Sequence, residues 1–530
     1  GDHNVKGGLD VQERETTRRT APIGGHSYSY NTLAPGASIQ GDNGVLYTNN
    51  TGANQDYVSD RIFAGGGGFT SDLNAWYLED QWQVTDNLML SIGIRKDKFE
   101  GDGTTGLQLF DFDTSIAPRL GFTWDVAGDG ESKLYGTYGT YYLPVANNTI
   151  YRAASGVSDT TSFYTFTGID GSNGTPTGLN LLGTNVSSVP VVPTKDTFQA
   201  IEADPFARDE FILGYETALN DDMTLSVRAT YRDVTSALDD YCGAYAWPFC
   251  IMLNPGEDMS WFKDGYYWDG TNLEVKSSPD GLADSSTPVT HSKETLRLPK
   301  ANNEYLSLQT SLDYRSEAFR MKMIYTWSRS TGNFEGAVKS DINQADAGIT
   351  QDFDFPALMD GAQGYQANDR RHVLKIFGTY NLTDDLSIGF NSSLSSGKPK
   401  SAFGRGYPDH HADVYGSYGD TFYIYTNQCP DTNGNGSCDQ EEKVYTFAPR
   451  GSVGRTPWTF NLDLSAAYAF NVSDIDMRVT LDVFNVLNSS EITKINEHYE
   501  VSEGTVNPYY GAAYDWQAPR YVRFGFEARF

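Results

Sequence analysis

Met223-Thr224-Leu225-Ser226-Val227-Arg228-Ala229-Thr230-Tyr231-Arg232 is the stretch that decides the fold. In an extended chain successive side chains point to opposite faces. Met223, Leu225, Val227, Ala229 and Tyr231 therefore share one face, and Thr224, Ser226, Arg228, Thr230 and Arg232 the other. The same period recurs elsewhere. Leu88, Leu90, Ile92 and Ile94 alternate with Met89, Ser91, Gly93 and Arg95. Phe319, Met321, Met323, Tyr325 and Trp327 alternate with polar neighbours, and so do Ile475, Met477, Val479, Leu481 and Val483. Such runs of about ten residues are longer than ordinary globular strands and match the length a tilted strand needs to cross a bilayer.

The links between strands alternate in length. Thr85-Asp86-Asn87, Ala127 to Gly130, Asn220-Asp221-Asp222, Arg315-Ser316-Glu317, Thr383-Asp384-Asp385 and Asn471 to Asp474 are short and carry the Asn, Asp and Gly of tight turns. Every other link is long, from Arg14 to Asp72, Glu100 to Thr114, Leu143 to Arg208, Ala237 to Asn302, Thr331 to Asn368, Lys398 to Thr456 and Asn488 to Ala518. Short periplasmic turns and long extracellular loops are the two ends of an outer-membrane barrel. The reading is all-β: one transmembrane antiparallel β-barrel domain over residues 1–530, with about 14 strands in this chain. An even count leaves a complete 14-stranded passive porin open as an alternative.

Composition agrees with this class. Lys plus Arg number 39 against 69 Asp plus Glu, a net charge of −30 that disfavours nucleic acid as a partner. Aromatics at 13% argue against disorder. A mean hydropathy of −0.47 is compatible with a barrel, because only every second residue faces lipid. No run of about 18 apolar residues marks a membrane-spanning helix. Cys242 with Cys250, and Cys429 with Cys438, are close pairs inside loops and read as two disulfides formed in the periplasm; four free thiols are the alternative.

At the end of the chain Val522, Phe524, Phe526, Ala528 and Phe530 alternate with Tyr521, Arg523, Gly525, Glu527 and Arg529. The pattern resembles the C-terminal signal that the barrel-assembly machinery reads in outer-membrane proteins. An ordinary amphipathic strand is the plainer reading.

Candidate sites fall in the loops. Asp431, Asn433, Asn435, Gly436, Ser437, Asp439 and Glu442 fit D-x-[DN]-x-[DN]-G-x₅-E, which supplies calcium with side-chain oxygens, the Ser437 carbonyl and a bidentate Glu442. A structural Ca²⁺ is the expectation, and a solvated Asn/Asp/Gly turn the alternative. Asp409, His410, His411 and Asp413 are a weaker transition-metal set. Trp261, Phe262, Tyr266, Tyr267 and Trp268 crowd one loop as a possible ligand platform, against loop packing or an aromatic girdle. Gly101, Gly103 and Gly106 spell GxGxxG in a loop between two strands, the wrong context for a dinucleotide fingerprint, and Gly65 to Gly68 reads as a loop hinge. The chain carries no GxSxG or HExxH, and no enzyme activity is expected.

Five stretches carry a family resemblance: Gly1-Asp2-His3-Asn4-Val5-Lys6-Gly7-Gly8, Tyr77-Leu78-Glu79-Asp80-Gln81-Trp82, Ala117-Pro118-Arg119-Leu120-Gly121-Phe122, Asn368-Asp369-Arg370-Arg371-His372 and Asp482-Val483-Phe484-Asn485-Val486-Leu487-Asn488. In order and spacing the chain resembles TonB-dependent outer-membrane receptors of the Oar-like group. The resemblance implies a barrel of about 22 strands behind an N-terminal plug, so that about eight strands and the plug lie outside this sequence. It further implies import of an unidentified ligand bound at the extracellular loops, coupling to TonB through the absent N-terminal part, and surroundings of outer-membrane lipid and lipopolysaccharide.

Overall fold

The computed structural model describes residues 1–530 apart from 42–43, 155–156, 189–191, 244, 247–249, 263–265, 269–272, 276–287, 346–347, 410–413, 415–418, 474 and 530. Fourteen strands follow one another as an antiparallel meander: β1 (His3–Thr20), β2 (Gln55–Thr85), β3 (Leu88–Asp102), β4 (Ala117–Trp124), β5 (Ser132–Leu143), β6 (Phe206–Asn220), β7 (Met223–Ser236), β8 (Asn303–Arg315), β9 (Phe319–Gly332), β10 (His372–Asn381), β11 (Leu386–Ser395), β12 (Thr459–Val472), β13 (Ile475–Phe484) and β14 (Tyr521–Arg529). Five shorter strands extend this sheet to nineteen. Among the described residues β1 is laddered only to β2 and β14 only to β13, so the sheet is open.

Register confirms the alternation read from sequence. Val227 stands opposite Tyr215 on β6 and Thr310 on β8. Across the last hairpin Val483, Leu481, Val479 and Met477 oppose Val522, Phe524, Phe526 and Ala528. The whole apolar row of the C-terminal strand thus continues the apolar face of the sheet, and Phe524 and Phe526 are largely exposed on it; Phe530 lies outside the described residues. On the other face Asp482 opposes Arg523 with a 2.9 Å ion pair, and Lys133 meets Glu216 at 3.0 Å. One face is apolar and exposed and the other polar and cross-linked, as a barrel wall requires.

The short turns are held by the residues that predicted them. The Asp125 carboxylate accepts from the Gly128 and Gly130 amides at 2.8 and 2.7 Å, and the Asn220 side chain accepts from the Asp222 amide at 3.0 Å.

The first long link is shorter than the sequence suggested. Strands β1 and β2 stay in register from His3 opposite Trp82 up to Thr20 opposite Gly65, so Arg14 to Asp72 is mostly ladder. Gly65 to Gly68 is accordingly not a loop hinge but an interior segment of β2. Gly66 has φ +139°, and a Cβ there would lie 2.2 Å from the Arg18 carbonyl oxygen, so glycine permits the close approach of the two backbones. Gly101, Gly103 and Gly106 lie at the end of β3 and in the turn to Gln108–Asp113, with the Gly106 amide donating to the Gly103 carbonyl at 2.9 Å. No helix follows them.

Candidate functional site at the loop end

All the long links leave the same end of the sheet, and there they build the molecule's apolar core. Phe110 and Phe112 from the second link, Ile150 and Phe198 from the third, Tyr241 and Trp261 from the fourth, Phe334 and Phe353 from the fifth, and Phe403 and Phe422 from the sixth belong to one buried cluster. Burying aromatic side chains of this size is the largest favourable term available to segments with little regular structure. The loops therefore form a packed layer over the end of the sheet.

This changes the reading of the aromatic platform. Trp261 is 1% exposed, its ring stacks on His291 at 4.2 Å between centroids, and its indole nitrogen donates to the Tyr245 carbonyl at 3.3 Å. It packs the core and presents no face to a ligand, because the fourth link folds back on itself as paired strands Met259–Phe262 and Pro288–His291. Phe262 is half-buried. Tyr266, Tyr267 and Trp268 form a short strand laddered to residues 192–193 and 273–275.

Both disulfides are formed, Cys242 with Cys250 and Cys429 with Cys438. Each closes a short loop within the layer and restricts its unfolded ensemble.

Beneath the surface lies a charge network that no local pattern announces. The Lys339 ammonium is 0% exposed and meets Asp352 at 2.5 Å. Arg450, from the sixth link, pairs with Asp341 at 3.1 Å and reaches Asp352 at 3.6 Å. Both cations also lie over aromatic faces, Lys339 over Phe403 and Arg450 over Phe422. The seventh link joins through Glu497, whose carboxylate accepts from the Ser401 amide at 2.9 Å and is pushed up to about 8, first by burial and then by the nearby Asp341. Asp420 receives His498 at 2.7 Å and Arg405 at 3.2 Å. Burial drives Asp239 well above the usual carboxylate range against the hydrogen bonds from Thr350. These groups tie the fourth, fifth, sixth and seventh links together.

The loop over Asp431–Glu442 is drawn inward on its own carboxylates. Asp431 accepts from the amides of Gly434, Asn435 and Gly436 at 2.7, 3.1 and 2.9 Å. Glu442 accepts from the Thr432 and Asn433 amides and from the Thr432 hydroxyl, and those bonds hold it below its ordinary range. The side-chain amides of Asn433 and Asn435 converge on one Asp439 oxygen at 2.7 and 2.6 Å. The Ser437 amide donates to the Asn435 side chain at 2.7 Å. Gln440, with bonds to the Tyr407 carbonyl and the Tyr445 hydroxyl, anchors the loop to the layer. Of the second metal set only Asp409 is described, 3.8 Å from Arg297; His410, His411 and Asp413 lie outside the described residues.

A family model described as an outer membrane beta barrel domain matches residues 98–517. The chain belongs to this outer-membrane β-barrel family. A second model, TonB dependent receptor-like beta-barrel, matches residues 3–168. The chain is similar to the TonB-dependent transporter Oar of Myxococcus xanthus, 25% identical over 525 residues that cover 87% of this chain and 43% of that one. It thus spans less than half the length of this relative. Among solved structures it is similar to the ferric-catecholate import receptor Fiu from K12 E. coli, at 11% identity and a TM-score of 0.44, covering 99% of this chain and 55% of that one. The P. aeruginosa receptor FpvA, solved with heterologous pyoverdines, gives 11% identity and a TM-score of 0.45, covering 98% of this chain and 53% of that one.

As an outer-membrane barrel the protein resides in the bacterial outer membrane, and the resemblance to TonB-dependent receptors of the Oar-like group is borne out. The Myxococcus xanthus relative is named a transporter, not an enzyme. In an outer-membrane barrel wall the apolar face is the one that meets lipid, and the long loops stand at the extracellular end.

Proposed function

We propose that this chain is the C-terminal wall and loop layer of a TonB-dependent transporter that receives its ligand at the loops and imports it. The observation that carries the reading is the similarity to a TonB-dependent transporter along 87% of the chain. The open sheet supports it against the passive 14-stranded porin, because a closed pore of fourteen strands needs a ladder between β1 and β14 and the described residues have none. On this reading TonB engages the part of the protein that precedes Gly1, lipid and lipopolysaccharide face the apolar rows, and the barrel-assembly machinery reads Val522 to Phe530. Planar-bilayer recordings of the native, full-length product are expected to show no large constitutive pore. A steady open conductance in the absence of ligand would contradict the transporter reading and restore the porin.

We further propose that Asp431, Asn433, Asn435, the Ser437 carbonyl, Asp439 and Glu442 hold a structural calcium ion. The donor set is all oxygen, as a hard cation requires, and the amides turned onto Asp431 keep that carboxylate at the centre of the loop. The Cys429–Cys438 bridge closes the first half of the ring, reducing the entropy lost on binding. With two neutral Asn ligands the affinity belongs to the weak class of about 10⁻⁴ to 10⁻³ M. Millimolar calcium is expected to slow proteolysis between Cys429 and Glu442 with the disulfide intact, and Glu442→Gln to abolish that protection. Identical cleavage with and without calcium refutes the site.

A further inference from the structure

At the loop end of the sheet, the polar face borders a cavity of 390 Å³ lined by Arg208 of β6, Arg232 of β7, Tyr305 of β8, Glu335 and, ahead of β10, Asp369 and Arg370. Carboxylates lie around it, with Glu210 and Asp233 close enough to act on Arg208 through space, but those with printed partners are held by other groups. Arg232 is engaged by Glu210. Asp369 is taken by Arg455 at 2.5 Å and by the Ser330 amide at 2.7 Å. The Glu335 carboxylate accepts from both the amide and the hydroxyl of Ser340. Two guanidiniums remain. Arg208 rests 5.9 Å from the Phe206 ring, and its Nε is shielded from solvent with no hydrogen-bond partner. Arg370 donates from Nη1 to the Ser396 carbonyl at 2.8 Å. Among the described residues neither has a carboxylate within ion-pairing distance. Lys398 adds a third positive charge nearby, its ammonium held below the usual range by burial and by Arg370.

In a chain with 69 acidic and 39 basic residues, two guanidiniums at one cavity without a direct ion pair among the described residues are unusual. Half-buried guanidiniums lose hydration that only hydrogen bonds to an anion restore. Their planar forks suit the paired oxygens of carboxylates and phosphates. We propose that this cavity is a subsite for an oxyanion, a carboxylate or phosphate group on the molecule that enters at the loop end, with Arg208 and Arg370 as its principal donors. It rests on the transporter reading for the ligand's passage but not for its binding.

The test uses the full-length product in detergent micelles and follows melting temperature as sodium phosphate or sodium acetate replaces sodium chloride at matched ionic strength. At least one oxyanion is expected to raise the wild-type melting temperature, and the two arms separate phosphate from carboxylate preference. Arg208→Gln and Arg370→Gln are each expected to raise the half-saturating concentration at least tenfold, while Arg315→Gln, in a turn at the far end of the sheet, leaves it unchanged. Without oxyanion, R208Q is expected to melt close to wild type, since Arg208 holds no direct ion pair and only an outer contact with the Phe206 ring. An R208Q protein that melts lower in chloride has lost a structural arginine, and the proposal fails. It also fails if the wild type shows no oxyanion-specific response, or if R370Q responds as wild type does; R370Q decides the matter if R208Q does not fold. A constitutive pore in bilayer recordings would remove the transporter reading and leave this result untouched.

Discussion

Lys339→Met is expected to destabilise the loop layer by about 3–5 kcal/mol, the usual cost of removing one member of a buried ion pair. Methionine matches the length of the lysine stem, so little volume is lost. What changes is charge. Lys339 and Asp352 are 0% and 1% exposed, and the second Asp352 oxygen already lacks a hydrogen-bond partner. Without the ammonium, Arg450 alone must neutralise both Asp341 and Asp352, from 3.1 and 3.6 Å. The double change Lys339→Met with Asp352→Leu should recover most of the loss, because two apolar groups of similar size leave no stranded charge. Limited proteolysis of the folded protein in micelles reads the effect as faster nicking of the loops with the strands intact. A single variant nicked at the wild-type rate would show that the network contributes nothing.

The same network gives a pH dependence with a definite sign. Glu497 is raised to about 8 in the folded layer from an ordinary value of 4.5. Between those values the unfolded chain binds fewer protons than the folded one, so the contribution of Glu497 is fully present below about pH 4.5 and is lost as pH rises through about 8. Asp420 is shifted the other way, and its contribution is lost only as pH falls below its ordinary value of 3.8, outside that window. Lowering the pH from 8.5 to 6 is thus expected to slow nicking of the seventh link, and Glu497→Gln to remove that response.

Strand order, turn positions and the two faces were legible in the sequence because a barrel writes them with period two and marks its short turns with Asn, Asp and Gly. The fourteen strands stand where that pattern puts them, and so do the short turns among the described residues. The length of β1 and β2 was not legible. Glu13, Glu15 and Arg19 fall on the apolar row of Val5, Leu9 and Val11 and break the alternation, and four consecutive glycines read as a hinge, yet cross-strand pairing from Thr17–Gly68 to Thr20–Gly65 overrides both. The loop layer was invisible for a different reason. Phe353 and Phe422 lie in irregular segments, and Phe110 and Trp261 in strands of six and four residues too short to show a period, so tertiary contacts select which side chains are buried. Lys339, Asp352, Arg450 and Glu497 are single charges in three separate links, and only the fold brings them together. The Asp431–Glu442 loop is the opposite case, a short segment whose side chains hydrogen-bond to one another and to its own amides.

Val227→Arg and Arg228→Ser, adjacent in sequence, are expected to differ in cost by several-fold. Val227 sits mid-strand in β7 on the lipid face, flanked by Tyr215 and Thr310. An arginine there must cross about half the hydrocarbon thickness to reach water, and at the midplane of a barrel such a cation costs about 2–4 kcal/mol. Arg228 points to the other face, where its guanidinium donates to the Gln309 side chain. A serine in its place loses one exposed hydrogen bond and remains hydrated, a change within about 1 kcal/mol. Urea unfolding of the full-length product in lipid vesicles measures both. The comparison is internal, because each variant keeps the same strand, register and neighbours and differs only in the face it alters. Equal effects would mean that the two faces see the same solvent, and the assignment of Met223, Leu225, Val227, Ala229 and Tyr231 to lipid would fall with them.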